Sequence, residues 1–123
     1  MTALPELTYH WETPSADVGL VALTGDLVHL NANELLDAVT DRLAAHPALR
    51  ELHVDCSGLE LCDSRGLSIL LMLRRHTDAH GLGLRIVHRP DTLNRMLDIT
   101  GTATYLTGTD GQARQRDRNE PSG

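Results

Sequence analysis

The sequence predicts an α/β fold in one domain, with a mixed, mostly parallel sheet that opens on an N-terminal β-hairpin. Three observations carry this reading. Stretches of strand-like patterning alternate with stretches of helical spacing, the changes between them are marked by Gly, Pro, Asn or Asp, and 123 residues suit one core rather than two. A strand followed by a helix and another strand favours parallel pairing, because parallel neighbours need a crossover and a helix supplies it.

In order along the chain, Leu7, Tyr9 and Trp11 alternate with polar neighbours at strand period, and Val18 to Leu23 is a second apolar run beyond the turn-prone Thr13-Pro14-Ser15. These two pieces are expected to pair, with Thr24-Gly25-Asp26 breaking the pattern. Asn31 and Glu34 have the spacing of a helix N-cap with its reciprocal carboxylate, and Leu35, Leu36, Val39 and Leu43 follow at helical spacing until Pro47. Leu52 and Val54 flank His53 in a strand expected to end at Asp55-Cys56-Ser57-Gly58. A second helix should begin at Asp63 or Ser64, either of which can cap it, and run towards Ala79 before Gly81 stops it. Leu84, Ile86 and Val87 make the next strand. Pro90 suits the first turn of a third helix carrying Leu93, Met96 and Leu97, with Gly101 as its stop. Ala103 to Leu106 is expected to add a last short strand. Residues 1–106 are read as the domain, and residues 107–123, polar and devoid of large apolar side chains, as a disordered tail.

Composition narrows the function. Hydrophobic residues make up 41% of the chain and charged ones 23%, as in a soluble globular domain. The aromatics are only Tyr9, Trp11 and Tyr105, which argues against a platform for stacking nucleic-acid bases. The formal net charge is -6, and all 11 basic residues are arginine, so no basic surplus exists to neutralise a phosphate backbone. Ile69 to Leu73 is the longest aliphatic run and falls far short of the roughly 20 residues that span a bilayer. With two cysteines and no leader-like opening, a reducing cytoplasm is the expected compartment.

The informative stretch runs from Val54 to Leu71, where three serines, two aspartates and two glycines surround one strand-to-helix junction. Ser64, at the start of a helix, meets unsatisfied N–H groups and the positive end of the helix dipole, surroundings that favour a phosphate once attached. Such a phosphate adds roughly -1.5 to -2 charges. It is expected to stand beside Asp63, Glu60 and Asp55, repelling an acidic partner surface or one that must be desolvated. Ser64 equally suits plain capping, and Gly66 suits either a tolerated first-turn glycine or the close approach of a partner backbone. The helix that follows is too apolar for one face: Leu67, Ile69, Leu70, Leu71, Met72 and Leu73 cannot all meet the sheet. Either the third helix covers the remainder, or Leu67 or Leu70 contributes to a partner contact near Ser64.

Three blocks give the chain a resemblance to a known family: Leu23-Thr24-Gly25-Asp26-Leu27, Asp63-Ser64-Arg65-Gly66-Leu67, and Arg95-Met96-Leu97-Asp98-Ile99-Thr100-Gly101. Across Leu7 to Leu106 the chain resembles the STAS domain of bacterial anti-sigma factor antagonists. The resemblance implies that Ser64 is phosphorylated by an anti-sigma factor that is itself an ATP-dependent serine kinase. It also implies that the unphosphorylated form binds this partner and frees the sigma factor, and that a serine phosphatase resets the switch. Partner-binding residues are then Asp26, Asp63, Ser64, Arg65, Gly66, Leu67 and Leu70, with no catalytic residue, metal or cofactor in the chain itself. Arg65 stands where the family often has a small residue, and its guanidinium can pair with the phosphate, with Asp63 or with an acidic partner. Cys62 replaces an ordinary apolar residue and reads as a small core side chain.

Rival chemistries find less support. A serine hydrolase lacks its Gly-x-Ser-x-Gly elbow, and Asp63 would oppose the negative charge of acyl transfer. His76 and His80 lie one helical turn apart, but no glutamate stands in that turn and no cysteine at close spacing completes a metal site, so they read as a solvated helix end. Neither glycine-rich nucleotide motif occurs, and the chain has no lysine. The serious alternative shares the fold: a STAS-type scaffold subunit in a signalling or lipid-transport assembly that makes no use of Ser64.

Overall fold

The structure, a computed structural model, describes residues 6–107. Its elements are β1 (Leu7–Ser15), β2 (Val18–Leu27), α1 (Ala32–Ala45), β3 (Glu51–Cys62), α2 (Ser64–Ala79), β4 (Gly83–Val87), α3 (Asp91–Thr100) and α4 (Ala103–Thr107). The four strands form one sheet in the order β1-β2-β3-β4. β1 pairs antiparallel with β2, Trp11 opposite Val21, whereas β2 with β3 and β3 with β4 are parallel, Val21 meeting Val54 and Val54 meeting Ile86. This is the expected hairpin joined to two βαβ units.

The strand order decides where the core lies. β2, β3 and β4 advance in one direction across the sheet, so two right-handed crossovers place α1 and α2 on the same face. Val21 and Leu23 of β2, Leu52, Val54 and Cys56 of β3, and Leu84 and Ile86 of β4 all point to that face and are buried. Their neighbours Leu20, Ala22, His53 and Asp55 lie on the opposite face at intermediate exposure. α1 supplies Leu35, Val39 and Leu43 to the core, and α2 supplies Leu67, Ile69, Leu70 and Leu73.

Five local expectations are corrected. Ala103 to Leu106 forms the helix α4 and not a strand. Gly101, in the left-handed conformation with φ of 71°, stops α3, and the Leu106 N–H then bonds back to the Thr102 carbonyl at 3.0 Å. A four-residue stretch has too little periodicity to separate the two outcomes. The apolar excess of α2 is covered mainly by α1 and α4, not by α3, with Leu106 fully buried. β2 continues through Thr24-Gly25-Asp26, because Gly25 at φ 103° takes up a bulge where a Cβ would run into the Glu6 carbonyl oxygen. β3 likewise extends past Gly58 to Cys62.

The Asn31–Glu34 capping pair does not form. Asn31 instead accepts the Val28 N–H at 3.0 Å and donates to the Asp26 carbonyl at 2.9 Å, closing the turn between β2 and α1. The predicted tail beyond Thr107 lies outside the described residues. Leu106→Ala is expected to cost about 2–5 kcal/mol, as for a fully buried leucine, in chemical denaturation of the whole chain. A loss below about 1 kcal/mol would remove α4 from the core.

Candidate functional site

The junction between β3 and α2 is held by one carboxylate. Asp63 is the N-cap of α2, its backbone extended at φ -92° and ψ -174°. Its Oδ1 accepts the Gly66 N–H at 2.8 Å, and its Oδ2 accepts the His29 N–H at 3.0 Å. Its own N–H donates to the Leu27 carbonyl at 3.2 Å, and the His29 imidazole stands 3.5 Å from Oδ2. Asp63 thus ties together the end of β2, the loop after it and the first turn of α2. Burial by itself would raise its pKa, but the Gly66 and His29 N–H groups, with the His29 ring, outweigh that and hold it below the ordinary value of 3.8.

Asp63 being the cap frees Ser64 for other work. Ser64 is the first residue of α2, it is exposed, and its hydroxyl bonds to none of the described residues. Arg65 is also exposed and forms no ion pair with Asp63 or any other described residue. Gly66 is buried for a reason internal to the chain: a Cβ there would strike the Leu27 carbonyl oxygen and press on Leu27 Cγ and Cys62 Sγ. The absent side chain therefore serves the docking of α2 on β2.

Asp26 lies at the end of β2 opposite Leu61, its N–H bonded to the Glu6 carbonyl at 2.9 Å. Leu67 and Leu70 point inward and are buried, so their side chains offer no outer surface. Two apolar groups near this junction that the sequence reading did not single out face outward, Leu30 at 59% and Leu61 at 54% exposure. Leu61 belongs to the rim through its register with Asp26, one residue before Cys62 meets Leu27, and Leu30 follows the His29 that binds Asp63. Strand pairing and a backbone hydrogen bond bring them there, and no spacing in the sequence signals it.

Asp55 does not join the rim. Seven residue-to-residue steps at about 3.3 Å each separate it from Cys62. It accepts the Ser57 N–H at 2.9 Å and faces His88 Nδ1 at 3.1 Å, and the Ser57 N–H foremost keeps its pKa below the ordinary value. Cys62 is half-buried against the core, its thiol pushed up to about 11 by burial and by Asp63, and Cys56 is buried and raised to about 12.

Two variants test this account. Gly66→Ala is expected to cost about 1–3 kcal/mol in denaturation, because a backbone carbonyl stands in the way. Asp63→Ala should cost about 1–2 kcal/mol near neutral pH, the range for a lost cap. The folded pKa of Asp63 is depressed, so its ionic contribution is complete above the unfolded value and disappears as pH falls through the folded one. Denaturation midpoints of wild type and Asp63→Ala should therefore approach each other below pH 3.8. A gap of constant size would show that the charge of Asp63 contributes nothing.

Comparison with known proteins places the chain in a family. The family model described as "Mlab, STAS domain" matches residues 12–108. The anti-sigma factor antagonist SpoIIAA in its unphosphorylated form matches with a TM-score of 0.68 at 17% identity, over 90% of this chain and 96% of its own. The phosphorylated form of the Bacillus protein gives 0.64 at 16%, over 89% and 100%. An anti-sigma factor antagonist from Mycobacterium paratuberculosis gives 0.65 at 24%, over 89% and 93%. A sulfate transporter family protein from Wolinella succinogenes gives 0.66 at 17%, over 80% and 77%. No curated protein matches the chain. At these identities the structural likeness speaks for the fold, while the family model spans most of the sequence, and on that ground the chain belongs to the STAS domain family.

Proposed function

We propose that this chain is an anti-sigma factor antagonist whose Ser64 carries an on-off phosphate. The observation that supports it most is the exposed Ser64 hydroxyl at the first position of α2, unbonded among the described residues because Asp63 already caps the helix. A hydroxyl of this kind is open to a kinase, and its modification leaves the cap and the packing of Gly66 intact. The partner is an anti-sigma factor that is itself a serine kinase and binds the ATP. A separate serine phosphatase restores the hydroxyl, so this chain acts by binding and not by catalysis.

The rim explains why a phosphate would release the partner. Leu30 and Leu61 offer apolar surface next to Ser64, and an interface closing over them must strip water from the hydroxyl. A hydroxyl tolerates this, whereas a dianion does not unless it is matched by positive charge. On this surface Asp63, Glu60 and Asp26 add to the negative field, and the nearby positive groups are Arg65 and, when protonated, His29.

A second reading keeps the fold and drops the phosphate: a STAS scaffold subunit of a signalling or transport assembly. The family description and the likeness to a sulfate transporter family protein favour it. Binding measurements separate the two. Against the cognate kinase, Ser64→Ala should hold affinity near wild type, and Ser64→Asp should weaken it roughly tenfold or more. Equal affinities of the two variants would leave the scaffold reading standing. In the same assay Arg65→Ser should alter affinity and flatten its dependence on salt, as expected for a charge at the edge of an interface.

A further inference from the structure

The opposite end of α2 carries a different chemistry. Sixteen residues at about 1.5 Å each put it roughly 24 Å from Ser64. Here α1 ends at His46 and α2 ends at His80, and the two helix ends border a groove of about 300 Å³. Leu43, Leu49 and Leu82 line it together with His46, His76 and His80. That volume lies at the small end of ligand sites, which run about 300–1,000 Å³ and combine an apolar lining with a few polar groups.

The hydrogen bonds of two of these rings determine what they offer. His46 Nδ1 lies 2.8 Å from the Arg42 carbonyl oxygen, and His80 Nδ1 lies 2.9 Å from the His76 carbonyl oxygen. A carbonyl oxygen only accepts, so each Nδ1 carries the hydrogen, and in the neutral ring Nε2 is left as a bare acceptor. His76 stacks on His80 with ring centroids 4.3 Å apart. Burial, and then the neighbouring His80, lower the pKa of His76 and favour its neutral form.

The field in the groove has the same sign. Two helix C-terminal ends converge there, and each carries a partial negative charge that favours cations. No arginine or carboxylate lines it. The charged groups close by are engaged elsewhere, Arg42 over the Trp11 ring at 5.9 Å and Asp78 with Arg74 at 3.3 Å. Among the described residues no group of three His, Cys, Asp or Glu is placed to hold a metal ion. The cation that fits is therefore one with its own apolar body.

We propose that this groove binds a small organic amine, its apolar stem against Leu43, Leu49 and Leu82 and its ammonium head donating to Nε2 of His46 and His80. Such a site is independent of Ser64 and would let a second ligand reach the far end of the same helix.

The test uses the full chain with ¹⁵N-labelled histidines, titrated near pH 7.5 with phenethylamine and, separately, with 3-phenylpropionate. The amine should give saturable shifts at His46, His76 and His80 with a Kd in about the millimolar range, and the acid none. The double variant His46→Phe, His80→Phe keeps ring bulk while removing the acceptors, and should weaken the amine at least tenfold. Its amide spectrum reports whether the fold persists, and His46→Gln, His80→Gln replaces it if the fold is lost. Equal binding of both compounds near pH 7.5, unchanged amine affinity in the folded variant, or no saturable shift would each overturn the proposal. So would a zinc ion that occupies the groove and resists displacement by the amine.

Discussion

The structure depends on the close approach of the first turn of α2 to the end of β2. The Leu27 carbonyl receives the Asp63 N–H, Gly66 leaves room for that same carbonyl, and Asp63 reaches forward to the helix and back to the His29 N–H. Each contact constrains the others. A larger residue at 66 would lift the helix from Leu27, and without the carboxylate at 63 the Gly66 and His29 N–H groups would lose their acceptor. Because this small network satisfies the cap, the neighbouring hydroxyl of Ser64 is left without a structural task among the described residues.

The one-directional strand order has a second consequence. With α1 and α2 side by side on a single face, the two helices start near the rim of Leu30, Leu61 and Ser64 and finish together at the histidine groove. Their dipoles add at both ends: positive where a phosphate is proposed, negative where an amine is proposed. α2 is held along most of its length by buried leucines and by Leu106 of α4, so both surfaces rest on one rigid element.

Much of the fold was legible because its signals are local. Alternation marked β1, helical spacing marked α1 and α3, a capping residue at Asp63 or Ser64 marked the start of α2, and Gly81 and Gly101 marked helix stops that the structure reproduces with positive φ. The misreadings came where a local sign has two meanings. Gly25 and Gly58 look like strand breakers, yet in a twisted parallel pair they are the places where the strands bulge and continue. Asn31 has the chemistry of a helix cap but spends both ends of its amide on the preceding turn. Ala103 to Leu106 is too short for its period to show.

By itself the sequence determined the fold class, the family and the position of Ser64 at a helix start, since each follows from residue order and short-range pattern. Only the tertiary structure decided that Asp63 is the cap, that Gly66 serves Leu27, that Leu67 and Leu70 face inward while Leu30 and Leu61 face out, and that His46 joins His76 and His80. Those outcomes depend on which parts of distant segments touch. That is set by strand register and helix packing over tens of residues, and neighbouring side chains along the chain carry no record of it.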